Sequence, residues 1–358
     1  MAPILDKKTD RPFIISGPCS AESREQILHM ARELSSRGVD LFRAGLWKPR
    51  TRPHLFEGVG EEGLDWLVEA KEETGIRVAI EVANTRHVEL ALEKGIDTVW
   101  IGARTSANPF SVQEIADALR GVKIPVFIKN PINPDLRLWM GAVERMRHAG
   151  IEELGLIHRG FSFFNTDKYR NSPLWQIPID MRAEMPEVMM ICDVSHICGQ
   201  RNLLQDVAQA AMDLGFDGLM IETHPDPENA KTDSAQQITP SDFDRLLSSL
   251  VIRTESVSAL SDHKEVNDLR RQIDALDEDL VELLGVRMQL AERIGDIKDQ
   301  YSIPVLQPAR WQAVLKKARL NAQKKGLSAD FIEELFKAMH QESIHHQLLV
   351  MNSRVETK

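Results

Sequence analysis

The chain has 358 residues, 42% apolar and 27% charged, with a net charge of −10; this length suggests two domains with ample core in an ordinary soluble globular protein. Three cysteines exclude a disulfide framework and fit a reducing cytoplasm, and an acidic chain without a basic stripe is excluded as a nucleic-acid binder. No apolar run reaches membrane-spanning length and no basic-then-apolar leader opens the chain, so a cytoplasmic protein without membrane contact is expected.

The charge is unevenly spread. From His263 onward 15 Lys+Arg balance 15 Asp+Glu, so the first part carries the acidic excess. Basic residues at particular places in that part run against their background.

In chain order, strand-like runs occupy Phe13–Ser16, Leu41–Ala44, Val78–Val82, Val99–Ile101, Val126–Lys129, Leu154–Ile157, Val188–Cys192 and Leu219–Glu222. Between them lie stretches such as "SREQILHMARELSSRG" and "TRHVELALEKG", with apolar residues three and four apart and a closing glycine. Eight βα units in about 240 residues predict an α/β fold, a (β/α)₈ barrel, with an open doubly wound sheet as the alternative on this count alone. "TPSDFDRLLSSLV" reads as the eighth helix, with Thr239 as N-cap and Pro240 at the first helical position.

The Ser-rich "RTESVSALSDH" then reads as a linker, giving a barrel over 1–252, a linker over 253–263 and a helical domain over 264–358. Leu269, Ile273, Leu276, Leu280, Leu283, Leu290, Ile294 and Ile297 make one long stripe. A break at Ser302–Pro304, a helix from Pro308 to about Lys325 and a third after Ser328 complete a small all-α domain. Three helices cannot bury that stripe alone, so a helical homodimer is expected.

Barrel enzymes place their sites at the C-terminal ends of the strands. Here those ends carry Cys19, Arg43, Glu81, Arg104, Lys129, Arg159, His196 and Glu222. One group, Cys19, His196, Glu222 and Asp233, offers a thiolate, an imidazole and two carboxylates, a set that suits a divalent transition metal. The other group is cationic: Arg43, Lys48, Arg50, Arg104, Lys129 and Arg159. Cations gathered at one barrel mouth in an acidic domain call for phosphate or carboxylate ligands. Cys192 and Cys198 read as small buried hydrophobes.

The strings "GPCS", "RAGLWKPRT", "IGAR", "IKN", "HRG", "DVSH" and "IETHPDPENAKTDSAQQ" resemble 3-deoxy-D-arabino-heptulosonate-7-phosphate (DAHP) synthase, in the branch shared with 3-deoxy-octulosonate-8-phosphate synthases. The resemblance covers about residues 12–252. It implies condensation of phosphoenolpyruvate with erythrose 4-phosphate and water, the first step of the shikimate pathway toward aromatic amino acids. By it, Cys19, His196, Glu222 and Asp233 match the metal ligands. Arg104, Lys129 and Arg159, with Arg43 and Lys48 beside them, match the phosphoenolpyruvate cradle, and Arg50 and Thr51 the contacts to the aldose phosphate. One divalent ion per barrel is implied, Mn2+ first, with Fe2+, Co2+ and Zn2+ also fitting the donors. Such an ion would act on the aldehyde as a Lewis acid. Glu81 is then expected to stabilise positive charge at C2 or position the attacking water, and Lys129 to assist proton transfer; Lys48 joins them as a catalytic candidate. The sugar synthase of the same ancestry, with a non-catalytic helical domain, is the alternative; the threonine of "KPRT" favours the four-carbon aldehyde.

In the tail, Arg287 stands on the apolar stripe, where a charge needs an anion or an acidic partner. Lys298 shares its face, while Arg270 lies about 100° away, a candidate to reach a neighbouring subunit's site. A coiled-coil dimerisation arm with ordinary salt bridges fits the same spacing. "LRRQIDALDEDLVELLGVRMQLAERIGDIK", continuing to "ESIHHQ", resembles the all-α chorismate mutase. By that resemblance Arg270, Arg287, Lys298, Arg310, Ser343 and Gln347 fall on chorismate-binding positions, with Lys298 and Gln347 near the ether oxygen of the pericyclic rearrangement to prephenate. Gln307 and Trp311 depart from the acidic residues that the family often has there, which leaves a contact to the substrate's hydroxyl unassigned. Joining these two activities implies regulation, and prephenate or chorismate bound at the tail is expected to inhibit the barrel.

Overall fold

The computed structural model describes residues 5, 11–48, 55–163, 168–253 and 263–353. The chain divides into two compact units, with the boundary in sequence after Thr254. Arg50, Thr51 and most of the expected linker lie outside the described residues.

In the first unit eight parallel strands close into a barrel in sequence order: β1 (Phe13–Gly17), β2 (Leu41–Arg43), β3 (Val78–Val82), β4 (Thr98–Ile101), β5 (Val126–Lys129), β6 (Leu154–His158), β7 (Met189–Asp193) and β8 (Gly218–Glu222). The strands are nearly continuous apolar runs because both faces are covered, by helices outside and by the packed interior within. Phe13, Ile15, Trp100, Phe127, Ile191 and Met220 fill that interior, so the barrel is a plugged core and chemistry is confined to its rim. Outside, helices such as Arg24–Ser35 lay Ile27, Leu28, Ala31 and Leu34 against the strands. Thr239 caps the helix Pro240–Ser249 by accepting from the Asp242 amide, as its sequence predicts.

β1 closes the barrel against β8, with Gly17 opposite Glu222. Gly17 has φ +146°, and a Cβ there would lie 2.1 Å from the Arg43 carbonyl oxygen. Only glycine permits that approach, which turns the chain so that Cys19 ends up at the rim.

The second unit consists of helices Lys264–Gln300, Pro308–Lys324 and Ala329–Ser353. Of the 37 residues in the long helix only Ala291, Gly295 and Lys298 are buried. Leu269, Ile273, Leu276, Leu280 and Leu283 remain about half to two-thirds exposed, so the described residues of the helical unit leave the stripe uncovered.

Candidate functional site

Cys19, Glu222 and Asp233 place one ligand atom each within 4.8 Å of one another. Each is held by other parts of the rim. Glu222 ends β8 fully buried, accepting from Arg43 at 2.5 Å and from Gln236 Nε2 at 2.7 Å, while its amide donates to Ser195 Oγ. Asp233 adopts φ +47°, a left-handed conformation that Asp tolerates better than most residues, and pairs with Arg170 at 3.1 Å. The Cys19 amide donates to Gln237 Oε1, and Lys48 Nζ lies 3.2 Å from its sulfur. Burial, with Glu222 close by, pushes the Cys19 thiol up to about 12. Burial works against the charge of Glu222 too, but His196 and Arg43 hold its carboxyl below the usual range.

His196, the fourth expected ligand, stands beside this trio, its Nδ1 3.9 Å from Glu222 Oε1. Nδ1 is committed to Asp193 Oδ1 at 3.0 Å, which leaves Nε2 as the nitrogen with no hydrogen-bond partner among the described residues. The Asp193 carboxylate is fully buried and accepts from Lys129 Nζ at 2.8 Å as well. Burial opposes its charge, yet His196 and Lys129 hold the carboxyl well below the usual range. A thiol, two carboxylates and an imidazole whose other nitrogen is fixed by a carboxylate form a donor set that suits a divalent transition metal.

Next to His196 a cavity of about 260 Å³ is lined by Glu81, Arg104, Asn108, Lys129 and Arg159. Arg159 is oriented by Asn130, whose Oδ1 accepts from its amide, and by Asn171, whose Oδ1 accepts from its guanidinium at 2.7 Å. Burial lowers Arg159 to about 10, so it remains a cation at neutral pH. Glu81 accepts from Trp100 Nε1 at 2.9 Å. Gly102 makes room for it, since a Cβ there would lie 2.2 Å from Glu81 Oε1. A second cavity, of about 310 Å³, shares Glu81 and is lined by Trp47, Lys48, Glu57 and His87, with His87 stacked on Trp47 at 3.9 Å.

The expected cations therefore separate. Arg104, Lys129 and Arg159 share one cavity and Lys48 lines the other. Arg43 lines neither: it is 1% exposed, clamped to Glu222 and the Cys19 carbonyl, with its guanidinium 5.2 Å from the Trp100 ring centroid. Sequence reasoning placed Asp193 at a strand end without giving it a role, and it passed over Asn130, Asn171 and Arg170, although Asn130 stands inside the quoted "IKN".

In the helical unit Arg287, Lys298, Arg310, Ser343 and Gln347 line one cavity of about 300 Å³. Lys298 donates to Gln347 Oε1 at 3.0 Å and to the Val305 carbonyl at 2.6 Å, while Arg287 is bonded to Ser343 Oγ. Arg270 does not line it; it is exposed seventeen positions earlier on the same helix, about 25 Å along the axis.

A plugged (β/α)₈ barrel with a cationic, carboxylate-rich rim, followed by a helical unit with its own cationic cavity, defines a two-part enzyme. The chain belongs to the DAHP synthetase I family, which it matches over residues 3–259, and it continues into a chorismate mutase type II domain over residues 269–348. The phospho-2-dehydro-3-deoxyheptonate aldolase of Thermotoga maritima is 32% identical over 225 residues, covering 63% of this chain and 64% of that protein, so the match spans just under two-thirds of the relative's length. The 2-dehydro-3-deoxyphosphooctonate aldolase of Caulobacter vibrioides is 27% identical over 276 residues, 70% of this chain and 90% of the relative. Among solved structures, a DAHP synthase from Thermotoga maritima superposes with a TM-score of 0.59 at 29% identity, covering 66% of this chain and 67% of that one. Among the described residues no helix is long and apolar enough to cross a membrane.

Proposed function

We propose that the barrel condenses phosphoenolpyruvate with erythrose 4-phosphate and water to DAHP and phosphate, with Cys19, His196, Glu222 and Asp233 as ligands of one divalent metal ion, Mn2+ first. The observation that carries this reading is that the Cys19–Glu222–Asp233 cluster lies beside a cavity lined by His196, Arg104, Lys129 and Arg159. A divalent ion bound there supplies Lewis acidity to the aldehyde oxygen or to a water. Arg104, Lys129 and Arg159 bind the phosphate and carboxylate of phosphoenolpyruvate, which brings more anionic charge than one cation could neutralise. Glu81 faces the positive charge that develops at C2 as the new carbon–carbon bond forms, and orients the water that attacks there. Lys129, paired with Asp193, serves proton transfer. Lys48, beside Cys19 and Glu81, serves the same reaction from the second cavity. Arg43 acts through Glu222, as a residue that holds a ligand.

A second reading pairs condensation with arabinose 5-phosphate with a non-catalytic helical unit; only its first part draws support, from the name of the Caulobacter relative. Phosphate release from phosphoenolpyruvate with each aldose phosphate, with and without chelator, separates the two. Activity with erythrose 4-phosphate that chelator abolishes supports the first reading; activity with arabinose 5-phosphate alone overturns it.

The helical unit rearranges chorismate to prephenate. Arg287 and Arg310 bind the two carboxylates, with Lys298 and Gln347 at the ether oxygen, where charge grows in the transition state. Arg270 reaches the site of a second copy in a homodimer whose interface is the exposed stripe. Prephenate or chorismate bound there inhibits the barrel in the cytoplasm. Inhibition of phosphate release by prephenate that weakens in Arg287→Ala supports this; an equal inhibition constant in that variant counts against it.

A further inference from the structure

His340 enters the helical cavity from the helix Ala329–Ser353, its ring stacked on Trp311 with centroids 4.0 Å apart and planes within 16°. Both rings line the cavity alongside Arg287, Lys298, Ser343 and Gln347. The neighbouring neutral groups are already engaged. Ser343 Oγ is bonded to Arg287 and donates to the Met339 carbonyl; Gln347 accepts from Lys298 and donates to the Ser343 carbonyl. Neither ring nitrogen of His340 makes a hydrogen bond among the described residues.

The cations of this cavity suit carboxylates. A ring hydroxyl is different: it is neutral and both donates and accepts, and a neutral imidazole offers one nitrogen of each kind. Burial, with Arg287 and Lys298 nearby, pushes the His340 imidazole below its ordinary range, so it is neutral at pH 7. Gln307 also lines the cavity, but it is exposed at the start of the helix Pro308–Lys324 and must be ordered to serve. The Trp311 stack already orients His340.

We propose that His340, held by Trp311, recognises the substrate's ring hydroxyl in the helical site and sets its preference for chorismate over a ring that lacks this group. The inference rests on the reading of the helical unit as a chorismate mutase.

The test uses the full chain with two ligands: chorismate as substrate, and its analogue lacking the ring hydroxyl as a competitive inhibitor. In His340→Phe, which keeps an aromatic ring against Trp311, kcat/KM for chorismate should fall at least tenfold while the analogue's inhibition constant changes less than twofold. His340→Gln, which restores a neutral donor and acceptor, should recover part of the loss. An equal loss on both ligands would overturn the proposal, as would Gln307→Ala erasing the discrimination while His340→Phe preserves it. Mutase turnover in the unsubstituted chain separates these outcomes from failure of the underlying reading. If that turnover is absent, the reading falls and the proposal falls with it.

Discussion

His196 Nδ1 donates to Asp193 Oδ1 at 3.0 Å, and the same carboxylate accepts from Lys129 at 2.8 Å. A carboxylate can only accept, so this bond fixes the imidazole tautomer and directs Nε2 away from Asp193. Asp193→Asn keeps the shape but can present an amide N–H to the ring instead. Metal affinity is expected to fall roughly 10–100-fold, with turnover falling in parallel. Metal titration of the stripped protein, followed by phosphate release, checks this; unchanged affinity would mean that Asp193 serves Lys129 alone.

Cys19→Ser replaces the one soft donor of the cluster by a weak hydroxyl. Metal affinity and condensation activity should be lost together, while chorismate turnover persists. A variant that binds metal normally but cannot turn over would instead place Cys19 outside the ligand set.

Gly102→Ala tests the room made for Glu81. The backbone there, φ −69° and ψ 159°, accepts alanine, so the effect comes from the Cβ lying 2.2 Å from Glu81 Oε1. We expect kcat to fall at least tenfold with a change in Tm of only a few degrees. Gly141→Ala, in the helix Leu136–His148 with nothing within 4 Å of the new methyl, is the control. It should leave activity intact and stabilise by up to about 1 kcal/mol.

Arg43 and Glu222 are both essentially inaccessible to solvent. Arg43→Met leaves a buried carboxylate without its cation, a change that costs about 3–5 kcal/mol. A large drop in Tm at neutral pH is therefore expected. A loss of turnover with undiminished stability would return Arg43 to a direct role with substrate.

His158 ends β6 among Trp139, Phe161, Trp175 and Phe216, and burial lowers its imidazole to about 3. The unfolded chain takes up a proton on this residue near pH 6.5 and the folded chain does not. Its contribution to stability is therefore complete above pH 6.5 and is lost as pH falls toward 3, by at most about 1.4 kcal/mol per pH unit. Urea unfolding of the chain and of His158→Phe at pH 7.5 and pH 5 should show a shallower pH dependence in the variant. Identical slopes would mean that the ring is protonated in the native state.

The barrel was legible because its signals are local. Eight apolar runs recur at helix-length spacing, and the glycine-closed helices and the Thr239 cap are each specified within a few residues. What escaped was pairing across the rim. Arg43 looks like one more cation at a strand end, but its partner, Glu222, lies 179 positions away. Nothing near Arg43 says that its charge is consumed within the protein. Asn171 stabilises Arg159 from twelve residues downstream and also bonds the His196 carbonyl. Such polar residues carry no periodicity to mark them. In the tail the reverse holds. The stripe and the cation spacing were visible, whereas the His340–Trp311 stack joins two helices and has no pattern within either.

Gly17 has a further consequence. Its α-carbon faces the Arg43 backbone, its register partner is Glu222, and its carbonyl accepts from the Thr223 amide. The ends of three strands are therefore knit at a single position with no side chain. In a library that randomises β1, the interior positions Phe13 and Ile15 should accept other large apolar residues, because volume can be traded with neighbours. Position 17 should accept none, and no second substitution elsewhere should rescue a change there, because the obstacle is main chain and a main chain cannot be mutated away.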